Sequence, residues 1–107
     1  MDNIFENIPT DLSEEIFQQL AGNDKVRIER IISKGQSSPE SGWYDQAHNE
    51  WVIVLKGRAK LCFEDLKEIT LGPGDHLEIK AHQKHKVSWT APDVETIWLA
   101  VHYQDQT

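Results

Sequence analysis

The chain has one cysteine, Cys62. A single thiol excludes an internal disulfide and a multi-thiolate zinc site. Long apolar runs are absent too, because the longest, residues 51–55, is far shorter than the roughly 20 residues of a bilayer span. The first residues, MDNIFENIPTDLSEE, also lack the basic start and apolar stretch of a secretory signal. We therefore expect a cytoplasmic protein without a membrane segment.

Clustered positive charge is scarce. Eleven Lys and Arg residues stand against eighteen Asp and Glu, which gives a net charge of −7. Nucleic acid is therefore excluded as an expected partner, because binding to a polyanion depends on clustered basic residues. The densest basic group is Lys80, Lys84 and Lys86 beside His82 and His85, and it indicates a solvated loop or, alternatively, a small anion-binding rim.

The length of 107 residues predicts a single domain over residues 1–107. Its first 22 residues have a helical pattern. Asp11 is a capping residue and Glu14 follows three positions later, as in a capping box. Apolar residues recur at positions 12, 16 and 20, and Gly22 ends the pattern. We expect a short N-terminal helix there.

After residue 23, short apolar runs alternate with turn residues, which predicts an all-β sandwich or barrel. The predicted strands are residues 26–32, 51–55, 58–63, 68–71, 76–79, 85–90 and 96–103. Lys56-Gly57 predicts a tight hairpin with a positive φ, and Gly72-Pro73-Gly74-Asp75 predicts a second reversal. These short turns favour antiparallel pairing of consecutive strands.

Strand alternation predicts the direction of the His85 side chain, because residues two apart on a strand share a face. It is in line with Val87 and Trp89, so we expect its imidazole to point into the barrel. Lys86 and Ser88 take the other face.

Glu50 is likewise in line with Val52 and Val54. An ionised carboxylate inside an apolar barrel costs several kcal/mol unless it is paired, hydrogen-bonded or bound to a cation. Two partners fit: a hydrogen bond to His85, or a divalent ion such as zinc, nickel, manganese or iron.

Two segments resemble the motifs of the cupin superfamily. EWVIVLKG (residues 50–57) is similar to the end of the first motif, and LGPGDHLEIKAHQKH (residues 71–85) is similar to the second. GWYDQAHNEWVIVLKGRAKLCFED and TIWLAVHY extend the likeness to small single-domain bacterial cupins without an assigned reaction. The resemblance covers residues 42–103 and implies a double-stranded β-helix, or jelly-roll barrel.

The family usually binds a metal with an H-x-H pair, the glutamate and the second-motif histidine. Only the last two match, as Glu50 and His85, because Trp43-Tyr44-Asp45-Gln46 stands where the pair is expected. The resemblance therefore implies a divalent metal at Glu50 and His85 and no organic cofactor. Asp45 and His48 are the candidates for the missing ligands, and His82 is a more distant one.

Catalytic candidates in the same barrel are His85, Tyr44 and His102. His102 shares its predicted strand face with Trp98 and Ala100, so it is able to line the cavity beside Tyr44. The alternative is a half-buried histidine at the end of the barrel with no chemical role.

Three functions stay open. The first is a metal-dependent enzyme of the dioxygenase or isomerase type, in which the ion polarises an oxygen of a small substrate or activates dioxygen. The second is a module that binds or senses a small acid or sugar, which the missing H-x-H pair favours. The third is a metal-free isomerase or epimerase with His85 as base and Tyr44 as acid.

A homodimer is the expected assembly. Trp51, Ile53 and Leu55 alternate with the Glu50 face and form a second apolar surface on the same strand, which a twofold partner is able to cover.

Overall fold

The computed structural model describes residues 1–39 and 41–105. Over these residues the chain forms eight strands, and all of their pairings are antiparallel. The strands are β1 (Ile16–Gly22), β2 (Val26–Ser33), β3 (Asn49–Lys56), β4 (Ala59–Phe63), β5 (Glu68–Leu71), β6 (His76–Ile79), β7 (His85–Thr90) and β8 (Thr96–Tyr103). The all-β prediction is confirmed. Nowhere in the described ranges is there a helix long and apolar enough to cross a membrane.

The strands form two sheets, one with the order β1-β2-β8-β3-β6 and the other with the order β5-β4-β7. Apolar side chains from both sheets form one core, because alternate residues of each strand point toward the opposite sheet. This core includes Ile31, Val52, Val54, Leu61, Ile79 and Trp98, all at most 9% exposed. Burying each such side chain contributes about 1.5–3 kcal/mol.

The predicted strands agree closely with the observed ones. The bounds of β5 to β8 are as predicted, and those of β2, β3 and β4 differ by one or two residues at their ends. The extension of β3 to Asn49 matters for function, because it brings Glu50 into the strand.

The predicted N-terminal helix was wrong. Residues 16–22 form β1, which pairs with β2 from Ile16–Ile32 to Gly22–Arg27. Asp11 does accept a hydrogen bond from the Ser13 amide, at 3.0 Å, but the bond closes a local turn rather than capping a helix. The free edge of β2 satisfies the backbone of β1, and this tertiary pairing overrides the weak helical pattern.

The predicted pairing of consecutive strands was mostly wrong. Among the described strands, β1–β2 and β4–β5 are the consecutive pairs, whereas β3 pairs with β8 and β6. The Lys56-Gly57 turn therefore links the two sheets instead of closing a hairpin. Gly57 has the predicted positive φ, +87°. A turn sequence specifies a chain reversal, but burial of both sheets against one core selects the pairing partner.

Trp89 does not share the face of His85 and Val87. Opposite β4, Val87 pairs with Leu61 and Trp89 pairs with Lys60, so β7 carries a bulge. The bulge shifts the alternation by one residue, and Trp89 is 38% exposed. Its ring lies 5.7 Å from the Lys60 ammonium.

Candidate functional site

A cavity of about 390 Å³ lies between the two sheets. Its apolar walls are formed by Phe17, Ile31, Val52, Leu61, Ile79, Val87 and Trp98. Polar side chains cover the rest of the lining: Glu15, Arg27, Glu29, Tyr44, Gln46, Glu50, His85 and His102. A volume of this size with a few converging polar groups is typical of a small-molecule site.

Glu50 and His85 approach each other inside this cavity from opposite sheets. Glu50 comes from β3 and His85 from β7, and His85 Nε2 is 4.0 Å from Glu50 Oε1. The exposed fractions of the two side chains are 12% and 6%, so the cavity encloses both groups. Gln46 Nε2 donates a hydrogen bond of 3.2 Å to Glu50 Oε1. Sequence alternation predicted the inward direction of both side chains but not the contribution of Gln46.

The hydrogen bond of His85 to the backbone determines its tautomer. Nδ1 lies 2.9 Å from the Gln83 carbonyl oxygen, which only accepts hydrogen bonds, so Nδ1 carries the proton. In the neutral ring the lone pair is therefore on Nε2, the atom that faces Glu50. This arrangement provides a proton acceptor within the cavity.

Tyr44 and Gln46 reach the cavity because their segment is hydrogen-bonded to the start of β7 and to the residues before it. The Tyr44 amide donates to the His85 carbonyl at 2.8 Å, and the His85 amide donates back at 3.2 Å. The His82 amide then donates to the Gln46 carbonyl at 2.7 Å. The Tyr44 ring lies 5.8 Å from the His85 ring and is half exposed, at the mouth of the cavity.

Asp45 points away from the cavity. Its carboxylate Oδ1 is 2.7 Å from His82 Nδ1, and both side chains are largely exposed. The structure thus brings these two metal candidates to each other rather than to Glu50. Their positions follow from alternation, since Asp45 lies between the inward-facing Tyr44 and Gln46.

His48 contacts His102 instead of Glu50 and His85. His48 Nε2 is 2.9 Å from His102 Nδ1, and His102 Nε2 is 2.8 Å from Glu29 Oε1. Glu29 and His102 are buried. Arg27 Nε lies 3.8 Å from the second oxygen of Glu29.

Sequence reasoning missed Glu29 and Arg27. The available signal was alternation along β2, because Arg27 and Glu29 are in line with Ile31. This is the signal that gave the direction of Glu50 on β3. Glu15 was missed as well, because it lies within the segment predicted to be helical.

The cavity is electrically negative, with three glutamates and one arginine among its described lining residues. Burial raises the pKa of Glu15; a hydrogen bond from Ser33 opposes this effect and the charge of Glu29 adds to it. Burial, followed by the proximity of His102 and Arg27, lowers the pKa of His48, against the opposing charges of Glu50 and Glu29. Burial thus favours the neutral forms of Glu15 and His48.

Trp98 supplies a hydrogen-bond donor that has no acceptor. Its side chain is 3% exposed and lines the cavity, and Nε1 has no partner within the described part of the chain. An unpaired buried N–H of this kind costs about 1–3 kcal/mol.

The donor set does not fit a metal centre. Across residues 1–39 and 41–105, no group of three or more His, Cys, Asp or Glu side chains is arranged to hold a metal ion. Glu50 and His85 provide two potential ligands, whereas a protein zinc site has three or four. Tyr44 and Gln46, the next nearest polar groups, are poor ligands for a divalent ion compared with imidazole or carboxylate.

Comparison with protein families gives a match to the model described as the cupin domain, over residues 29–102. A structure from Ralstonia eutropha JMP134, named a "putative mannose-6-phosphate isomerase", is 42% identical with a TM-score of 0.93, and the alignment covers 98% of both chains. No curated protein matches the chain.

Two further structures share the fold alone. A cupin superfamily protein from Desulfitobacterium hafniense DCB-2 is 23% identical with a TM-score of 0.74, over 92% of this chain and 84% of that one. The polyketide cyclase RemF from Streptomyces resistomycificus is 20% identical with a TM-score of 0.72, over 87% and 67% of the respective chains.

Proposed function

The chain belongs to the cupin domain family, and we propose that it binds a small uncharged polyhydroxy molecule in its barrel without a metal ion, with His85 as a proton acceptor. One observation carries the proposal: the lone pair of His85 Nε2 and the carboxylate of Glu50 face one cavity, and no third His, Cys, Asp or Glu among the described residues is arranged to bind a metal ion with them.

The missing H-x-H pair supports a metal-free site. Tyr44 and Gln46 have the spacing of that pair, and both line the cavity. Gln46 donates to Glu50, which a neutral amide does readily and a metal-binding imidazole does not. A metal-dependent enzyme, one of the three functions that the sequence leaves open, is therefore not favoured.

The charges of the cavity determine which ligand fits. Glu29 and Glu50 offer acceptors to hydroxyl groups, and Tyr44 and Gln46 offer donors to an oxygen. A hydroxyl group both donates and accepts, so a polyol satisfies both kinds of site. A phosphate group meets the carboxylates with Arg27 alone as its counter-charge, and Arg27 already lies near Glu29. The phosphorylated sugar in the name of the Ralstonia protein is thus a poor fit here.

We expect D-mannose, D-glucose or a related free sugar to raise the melting temperature in the presence of EDTA. The matching 6-phosphate esters should bind at least about tenfold more weakly, because bringing a dianion toward buried carboxylates costs on the order of 1.4 kcal/mol or more. Thermal melting over a ligand titration measures both affinities. Stronger binding of the phosphate esters, or binding that EDTA abolishes, contradicts the proposal.

Solvent isotope exchange tests the chemical role of His85. If His85 Nε2 removes a proton from the carbon beside a carbonyl, the C–H electron pair passes to the carbonyl oxygen. A deuteron from D2O then replaces that hydrogen, and proton NMR detects the loss of its signal. Binding without exchange favours the second candidate, a sensing module, which the aromatic and apolar lining also supports.

We also propose that the protein forms a homodimer. Trp51, Ile53 and Leu55 are only partly buried on the outer face of β3, and a twofold contact removes this apolar area from water. Sedimentation at micromolar concentration should give twice the chain mass of 12.3 kDa, and Ile53→Lys should give the single-chain mass. A wild-type protein of 12.3 kDa contradicts the assembly.

A further inference from the structure

A second carboxylate and imidazole pair, Glu29 and His102, lines the same cavity and continues outward to His48. The hydrogen bond between Glu29 and His102 measures 2.8 Å, and the hydrogen bond between His102 and His48 measures 2.9 Å. His48 is half-buried and lines a separate outer depression of about 100 Å³, and His102 lines both spaces. We propose that Glu29, His102 and His48 form a proton relay between the cavity and solvent, which makes Glu29 its second proton-transferring group.

The partners determine where the hydrogens lie. An ionised carboxylate only accepts, so His102 Nε2 carries the proton that it shares with Glu29. In the neutral ring Nδ1 is then an acceptor, and His48 Nε2 must donate to it. The Nε2 hydrogens of both rings therefore point along the relay in the direction of Glu29. Arg27 Nε lies 3.8 Å from the other oxygen of Glu29.

At each step of the transfer, one group gives up a proton and the next group takes it up. Water at the outer depression gives a proton to His48 Nδ1, and His48 passes its Nε2 proton to His102 Nδ1. His102 then passes its own Nε2 proton to Glu29, whose carboxyl group becomes neutral. Both rings end neutral in the opposite tautomer, and the water becomes hydroxide.

The role of Glu29 rests on the proposed function. When His85 removes a proton from the bound molecule, negative charge develops on the carbonyl oxygen of that molecule. Glu29, from β2, lies in the sheet opposite to that of His85, from β7, so the two groups face the molecule from different sides. While the molecule fills the cavity, the relay first delivers a proton from outside to Glu29, and this carboxyl proton then passes to that oxygen.

His48→Gln tests the relay without any ligand. The glutamine amide keeps an N–H donor for His102 Nδ1 but does not pass a proton along. NMR with ¹⁵N labelling should show the Nε2–H tautomer of His102 in the wild type and in the variant. Exchange of the His102 Nε2 proton with water should be at least tenfold slower in the variant. His82→Gln, at an exposed histidine paired with Asp45, is the matched control and should leave the exchange unchanged.

Two results overturn the relay: equal exchange rates in the wild type and His48→Gln, or an Nδ1–H tautomer of His102 in the wild type. The tautomer measurement decides alone if His48→Gln does not fold. A working relay in a protein that binds no sugar overturns the proposed function but not the relay, so the two failures are distinguishable.

Discussion

Replacing Gly57 with alanine is expected to lower the free energy of unfolding by about 3 kcal/mol. Gly57 has a φ of +87°, and a Cβ built there lies 2.4 Å from Thr96 Oγ1, 2.6 Å from Thr96 Cα and 2.8 Å from the Glu95 carbonyl oxygen. Two of these neighbours are backbone atoms, so no side-chain rotation relieves the overlap. Thr96 also bonds the Arg58 amide and carbonyl, which ties the turn to the start of β8. Thermal melting should show a decrease of roughly 10 °C or more.

Gly42 and Gly74 provide matched controls for this substitution. Their φ angles are +93° and +91°, and nothing lies within 4 Å of a Cβ built at either position. Gly42→Ala and Gly74→Ala therefore carry the backbone strain without the overlap, and each should cost about 1 kcal/mol. A Gly57→Ala protein as stable as these two controls would show that the contact with β8 does not constrain the turn.

Period-two alternation made most of the strands predictable, because one face of each strand is buried against a single core. Val52, Val54 and Trp98 follow this rule, so the strand bounds could be predicted to within two residues. Alternation is local, however, and contains no information on which strand edge is free. The edge of β2 determines the conformation of residues 16–22, and the bulge in β7 moves Trp89 to the surface.

The candidate site could be predicted in part for the same reason. Glu50 and His85 each interrupt an apolar face, and that interruption is visible in the sequence. Asp45 was proposed because it stands where the H-x-H pair is expected, and His48 because it lies two residues before Glu50. In the structure the alternation of residues 44–46 turns Asp45 outward, and His102 occupies the hydrogen-bonding atom of His48.

Glu29 could not be connected with His102 from the sequence, because 73 positions separate the two residues. Their contact depends on the pairing of β2 with β8, which no turn or motif in the chain specifies. The sheet order thus brings Glu29 and His102 together in the cavity lining, whereas local alternation predicts the positions of Glu50 and His85. Sheet order is also what places both carboxylates in one cavity.

Glu50→Gln should weaken binding of a free sugar by roughly 10- to 100-fold, because a hydrogen bond to a charged acceptor contributes about 1.5–3 kcal/mol. Stability should change by less than about 1 kcal/mol, since glutamine has nearly the same volume and its carbonyl oxygen still accepts the hydrogen bond of Gln46. Sugar titrations followed by thermal melting give both quantities from one data set.

Glu78→Gln is the control for Glu50→Gln, because Glu78 is exposed on β6 and pairs with Lys80 at 3.0 Å outside the cavity. That variant should keep wild-type affinity and stability, since an exposed ion pair contributes little. The two variants differ because Glu50 lies inside the cavity and Glu78 lies on the surface. Loss of the charge weakens binding only where water cannot replace the carboxylate as a hydrogen-bond partner. Equal affinities of the Glu50→Gln and Glu78→Gln proteins would place the sugar outside the barrel and would leave Glu50 as a structural partner of Gln46.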